Sequence, residues 1–157
     1  AILFHANCVS TMVFCTQVLN VEPANLEPFQ LLRYQPGEYY KTHHDHAGYY
    51  SETDTKIKDR PQTMLLFLND VARGGHLRFD KLGLEIPPRM GDAVVWSNVD
   101  LATGKADPDM IHQGLPPDVG AKMAVNIWVR DEPFTSPRQA AMAAAERDGK
   151  DVWVRGT

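Results

Sequence analysis

The segment Lys122–Val129 (KMAVNIWV) constrains the fold most, because its side chains alternate without a break. On an extended chain, Lys122, Ala124, Asn126 and Trp128 share one face, and Met123, Val125, Ile127 and Val129 share the other. A strand is therefore predicted there. Thr63–Leu68 (TMLLFL) is a short continuous apolar run, the pattern of a buried strand. Shorter strands are predicted at Phe29–Tyr34, at His76–Phe79 after the Gly74-Gly75 turn, and at Asp92–Trp96. Pro36-Gly37 signals a turn, with Glu38–Lys41 starting the partner of the Phe29–Tyr34 strand. Many short strands with turn signals between them predict a mainly β fold: a sandwich, barrel or jelly roll.

Helices are expected to flank it. In residues 1–20, Val9, Met12, Val13 and Leu19 loosely fit a helical face. Near the other end, Ser136 is a good N-cap, Pro137 suits the first helical position, Gln139 completes a capping box and Gly149 suits the C′ position. The expected helix covers about 137–148 and the barrel about 29–133, within one domain of 157 residues.

Composition narrows the function classes. Sixteen basic against twenty acidic residues leave a net charge of −4, which argues against a nucleic acid or an anionic membrane as the main partner. No unbroken apolar run is long enough to span a membrane. The first nineteen residues carry His5, Asn7 and Gln17 and lack a basic start, so no signal peptide is read and the cytoplasm is slightly favoured. The chain begins at Ala1, as a piece of a longer protein would. Cys8 and Cys15 would lie about 10 Å apart on a helix, too far for a disulfide.

Three of the six histidines crowd into His43-His44-Asp45-His46. On a strand, residues two apart point the same way, so His43 and Asp45 can offer an imidazole nitrogen and a carboxylate oxygen to one metal ion. A histidine from a distant strand would complete a 2-His-1-carboxylate triad, which suits non-haem Fe(II) and leaves coordination positions open. His112, in Met-Ile-His-Gln-Gly, is the best candidate. A bare His-x-Asp is more often a solvated turn, so its surroundings must carry the case. His44, His46 and His76 are read as structural or exposed.

Those surroundings have a pattern. Tyr34-x-x-Gly37-x-x-Tyr40-x-x-His43-x-Asp45 resembles the strand motif of the prolyl 4-hydroxylase family of Fe(II)/2-oxoglutarate dioxygenases. Lys122 follows His112 by ten residues, the family's spacing between its distal iron histidine and a basic residue. Trp128, Arg60-x-x-Thr63, Leu68-Asn69-Asp70, Gly74-Gly75 and Gly91-Asp92-Ala93 are also similar to the family, so the resemblance covers roughly residues 21–133. Where the family often has Gly-Gly-Glu-Thr-x-Phe, this chain has Gly74-Gly75-His76-Leu77-Arg78-Phe79. The N-terminal part is short for the family.

The resemblance implies a double-stranded β-helix, a cupin-like jelly-roll barrel with helices on one side. It implies Fe(II) held by His43, Asp45 and His112, with 2-oxoglutarate and O2 as cosubstrates and ascorbate as reductant. Lys122 would anchor the C5 carboxylate of 2-oxoglutarate, with Thr63 helping, and Tyr34 would donate its hydroxyl to the cosubstrate. A lysine on an otherwise buried strand needs a partner, and a bound dicarboxylate supplies one. Tyr40 and Trp128 would line the pocket, and Asn126 could hydrogen-bond inside it. The implied reaction hydroxylates peptidyl proline at C4 while 2-oxoglutarate becomes succinate and CO2. Two other readings stay open: a related dioxygenase with a non-prolyl substrate, and a catalytically silent barrel that binds metal or peptide. Lys122, where many nucleic-acid demethylases of the superfamily use arginine, leans away from that branch. The intact set His43, Asp45, His112 and Lys122 argues against the silent barrel. Gly48–Pro61, with Tyr49 and Tyr50, is either a lid or a surface loop.

Overall fold

The computed structural model describes residues 2–3, 9–50 and 59–135. His5, Cys8, most of Gly48–Pro61 and the helix expected at 137–148 lie outside the described residues. In chain order the elements are β1 (Ile2–Leu3), α1 (Val9–Leu19), β2 (Gln30–Tyr34), β3 (Tyr40–His43), β4 (Gln62–Phe67), β5 (Leu77–Phe79), β6 (Leu84–Ile86), β7 (Ala93–Ser97), β8 (His112–Gly114) and β9 (Lys122–Val129).

The strands form two antiparallel sheets, ordered β1-β2-β9-β4-β7 and β3-β8-β5-β6. Their inner faces meet over one apolar cluster, to which the first sheet gives Leu32, Leu65, Phe67 and Ala124 and the second gives Leu77 and Phe79. The chain crosses from one sheet to the other after β2, β3, β4, β6, β7 and β8, giving a double-stranded β-helix. The alternation of β9 is realised: Ala124 lies in this inner cluster, while Ile127 and Val129 face outward into a second one.

That second cluster is the contact with α1. Cys15 and Leu19 pack on Leu26, Phe29, Met64, Ile127 and Val129, with Met12 beside them. The buried stripe therefore runs through positions 12, 15 and 19, and Val13, expected to share it, is half-exposed. The helix ends at Asn20, whose φ of 52° is the left-handed conformation of a helix C-terminus, and Val21 N–H donates to the Thr16 carbonyl at 3.1 Å.

Two expectations about strands change. The chain after Pro36-Gly37 does form a strand, but β3 pairs with β8 in the other sheet and not with β2. The turn signal shows where the chain reverses, not which sheet it joins. β6 and β8 were not predicted: three residues are too few to show a period, and neither has the Gly74-Gly75 turn signal that marked the equally short β5.

Candidate active site

β3 and β8 place the two histidines. In their antiparallel register His43 is directly opposite His112, with an irregularity between Tyr40 and His43, and the two rings are 4.3 Å apart. Each imidazole is oriented in the same way. His43 Nδ1–H donates to the Lys41 carbonyl at 2.8 Å, and His112 Nδ1–H donates to the Met110 carbonyl at 2.8 Å. A carbonyl can only accept, so in the neutral, ligating form of each ring the lone pair is on Nε2. Both face Asp45, at 3.3 Å (His43 to Oδ1) and 3.7 Å (His112 to Oδ2).

Asp45 is not on β3, which ends at His43. It sits in the turn that follows, and its neighbours shape that turn. His46 N–H donates to His44 Nδ1 at 3.0 Å, and Gly48 N–H donates to His46 Nδ1 at 3.0 Å. His44 Nε2–H reaches the Asp107 carbonyl at 2.9 Å, its ring stacks on Tyr49, and Ala47 N–H donates to Asp59. The dense His43–His46 run thus divides its labour: His44 and His46 are buried turn-formers, while His43 and Asp45 face the interior.

The donor set fits a cation. One ligand atom each from His43, Asp45 and His112 lies within 4.8 Å of the others. Two imidazole lone pairs and a carboxylate converge with no hydrogen of their own between them, an arrangement that a divalent ion satisfies. Burial pushes the Asp45 carboxyl up, but in the metal-free site a hydrogen bond from His43, the positive charge that His112 and His43 can carry, and the Thr63 hydroxyl more than offset this and hold it at about 2; a bound cation would take the place of those protons. Burial holds the His112 imidazole below its ordinary value, which favours the neutral, ligating form. Trp96 packs edge-on against His112 at 4.9 Å, and Tyr40 against His43 at 4.1 Å.

Lys122 lies deeper on the same interior. It starts β9 opposite Tyr34 on β2 and is 1% exposed. Among the described residues no carboxylate reaches its ammonium, which lies 5.7 Å from the Tyr34 ring and 5.6 Å from that of Phe67. Burial lowers its pKa to about 8. Burial raises that of Tyr34 to about 12, with Tyr40 adding to the rise, so its hydroxyl keeps its proton and can donate. A cleft joins Tyr34, His43, His112, Gly114 and Lys122.

Thr63 is the correction. It was expected beside Lys122, but β4 pairs with β9 so that Thr63 faces Trp128, six residues along from Lys122. At a rise of ~3.3 Å per residue, the two side chains are separated by roughly 20 Å of strand. Thr63 instead donates its hydroxyl to Asp45 Oδ2 at 2.8 Å. Asn126, on the lysine face, donates to Gln30 at 3.1 Å.

Two further features escaped the sequence reading. Gly114 borders the Lys122 end of the cleft: a Cβ there would make ordinary contacts with Lys122 Nζ at 3.9 Å and Tyr34 Cε2 at 3.4 Å, and would take up space beside the ammonium. A half-buried ion network backs the Asp45 turn. Arg60 binds Glu27 in bidentate fashion at 2.7 and 2.8 Å, and Arg130 joins Glu27 and Asp59 at 3.2 Å each. Only the oppositely charged residue types hinted at it, since its members lie far apart in sequence.

A barrel with a His-Asp-His cluster and a buried interior lysine defines a class, and the comparison with known families agrees. The model described as the 2OG-Fe(II) oxygenase superfamily matches residues 29–130, and the chain belongs to that family. It is 33% identical over 123 residues to prolyl 4-hydroxylase 13 of Arabidopsis thaliana, covering 69% of this chain and 44% of that protein. It is 32% identical over 115 residues to the human prolyl 4-hydroxylase subunit alpha-3, covering 72% of this chain and 21% of that one. The chain thus spans less than half of either relative. Among solved structures, the viral collagen prolyl hydroxylase of Paramecium Bursaria Chlorella virus-1, in its 2OG complex, superposes with a TM-score of 0.71 at 26% identity. That match covers 82% of this chain and 77% of the viral one.

Proposed function

We propose that this domain is an Fe(II)/2-oxoglutarate-dependent dioxygenase that hydroxylates proline in a peptide or protein. The observation that carries the reading is the pairing of two unsatisfied groups on one interior. Three metal-type donors converge at His43, Asp45 and His112, and a buried cation with no carboxylate partner among the described residues waits at Lys122. The two are separated by about two residues of β8, from His112 to Gly114, or roughly 7 Å. A dicarboxylate that chelates a metal at one end and ends in a second carboxylate suits that separation.

In this reading His43 Nε2, Asp45 and His112 Nε2 hold the iron, and Lys122 pairs with the C5 carboxylate. Tyr34, opposite Lys122, donates its hydroxyl to the cosubstrate. Iron, 2-oxoglutarate and O2 together supply the oxidising chemistry, giving succinate, CO2 and one oxygen atom for a substrate C–H bond, with ascorbate as the reductant. The protein orients these groups and keeps water out, through Trp96, Phe79 and Tyr40 packed against the imidazoles. Proline as the substrate is supported by the names of the relatives and by the half-exposed Tyr40 ring at the cleft, a flat face on which a pyrrolidine ring can pack.

The test is Fe(II)-dependent conversion of 2-oxoglutarate to succinate, with and without a proline-rich peptide, beside His112→Ala. The expected result is peptide-stimulated succinate, a one-oxygen mass gain on proline, and neither in the variant. Succinate without peptide stimulation keeps the dioxygenase and removes that peptide class. No succinate from folded, iron-loaded protein overturns the enzyme reading and leaves a binding barrel.

A further inference from the structure

Thr63 is fully buried, and its single hydroxyl hydrogen has a determined destination. The determination begins 33 residues away, at Trp96. An indole N–H can only donate, and that of Trp96 meets Asn98 Oδ1 at 2.8 Å. The Asn98 amide is therefore oriented with its NH2 group on the other side. From there Nδ2 donates to Thr63 Oγ1 at 2.8 Å and to the Arg60 carbonyl at 3.0 Å. Asn98 cannot move to avoid this. It is fully buried, its N–H donates to the Pro61 carbonyl at 2.7 Å, and its carbonyl accepts from Asp107 N–H at 2.9 Å. With Asn98 donating into Oγ1, the Thr63 hydrogen must point away from Asn98. It points to Asp45 Oδ2, at 2.8 Å.

We propose, on the reading of His43, Asp45 and His112 as metal ligands, that Thr63 is a positioning residue for the metal and that Trp96 and Asn98 set its direction. The chain of donors Trp96, Asn98, Thr63 ends on one oxygen of Asp45. It holds Oδ2 and leaves Oδ1, the oxygen beside His43 Nε2, as the one offered to the ion. A carboxylate on a turn, unlike a histidine on a paired strand, has no ladder to fix its torsion. Thr63 supplies that restraint from the opposite sheet. Holding one oxygen favours a one-atom contact from Asp45 and keeps the remaining coordination positions for cosubstrate and O2.

The experiment titrates Mn(II) and Co(II) into the wild type, Thr63→Val, Thr63→Ser and His112→Ala, by calorimetry and by the visible spectrum of the cobalt form. Unfolding curves of the metal-free proteins confirm that each is folded. The expected result is a metal affinity about 10–100-fold weaker in Thr63→Val, with a changed cobalt spectrum. Thr63→Ser, which keeps the hydroxyl, should match the wild type in both. A role in packing alone predicts the opposite order, since serine loses the methyl group that valine keeps. If Thr63→Val does not fold, Trp96→Phe carries the test. It removes one of the two contacts that orient the Asn98 amide, the Arg60 carbonyl being the other, and should weaken metal binding by a smaller factor. Equal affinity and spectrum in the wild type and the folded Thr63 or Trp96 variant overturn the positioning role and leave the metal site standing. Failure of the wild type to bind better than His112→Ala overturns the metal site itself, and the proposal with it.

Discussion

Replacing Lys122 with methionine should stabilise the unliganded domain while abolishing its binding of 2-oxoglutarate. Lys122 is 1% exposed and its pKa falls from 10.5 to about 8, with burial as the cause. At ~1.4 kcal/mol per unit, holding its charge inside costs about 3 kcal/mol. The folded pKa lies below the unfolded one. Below pH 8 both states are protonated and the full penalty applies. Between about 8 and 10.5 the unfolded chain holds the extra proton, so stability rises with pH as the penalty fades. Methionine keeps an unbranched side chain of similar length, so Lys122→Met removes the charge without leaving a large void.

The assay is urea unfolding of both metal-free proteins at pH 7 and pH 10. The variant should be about 1–3 kcal/mol more stable at pH 7. That gap should shrink to about 1 kcal/mol or less at pH 10, where Lys122 in the folded wild type is neutral. Other titrating groups are common to both proteins and cancel. With a divalent ion present, added 2-oxoglutarate should raise the stability of the wild type and not of the variant. A variant less stable than the wild type at pH 7, or a gap that ignores pH, would show that Lys122 is satisfied in the free domain and refute the anchor argument.

The same lysine sets a pH dependence for the cosubstrate: affinity for 2-oxoglutarate should be flat below pH 8 and fall about tenfold per unit above it, measured by calorimetry, because the dicarboxylate needs the protonated ammonium. Gly114→Ala places a methyl group 3.9 Å from Lys122 Nζ and 3.4 Å from Tyr34 Cε2. It should weaken 2-oxoglutarate binding and leave metal affinity unchanged, as titrations of each ligand would show. Glu27→Ala strips the shared carboxylate from Arg60 and Arg130. The loss should be about 2–4 kcal/mol in chemical unfolding, whereas an exposed ion pair such as Arg73 with Asp118 should contribute under about 1 kcal/mol.

The parts of this molecule that were legible in its sequence are those with local signals. β9 announced itself because alternation over eight residues is unlike anything a helix would leave, and β4 because its apolar run is bounded by polar residues. His112 stood out as a histidine in Met-Ile-His-Gln-Gly between two predicted strands, supported by the family spacing to Lys122, and not through a strand pattern of its own, since β8 is only three residues long. What stayed hidden was non-local. The partner of β3 is decided by which sheet the chain joins after the Pro36-Gly37 turn. The place of Thr63 along the interior is decided by the register of β4 on β9, which spacing within one strand cannot reveal. The burial of His44 and His46 depends on backbone N–H groups two residues on, so a run that looks solvated folds inward.

Register also explains why a helix far from the cleft matters to its chemistry. Side chains on a strand alternate, so a slip of one residue in β9 would turn Lys122 and Asn126 outward and bring Met123 and Val125 into the site. The inner face alone is a weak guard against that slip, because it already mixes Lys122, Ala124, Asn126 and Trp128. The outer face is the stronger guard. There Ile127 and Val129 are almost fully buried against Cys15 and Leu19 of α1, with Met64 of β4 beside them. A slipped strand would press Asn126 and Trp128 into that apolar contact and leave a buried amide without its Gln30 partner. The α1 layer thus ties the apolar pattern of one face to the placement of Lys122 on the other, and through Lys122 to the end of the cleft where a carboxylate can bind.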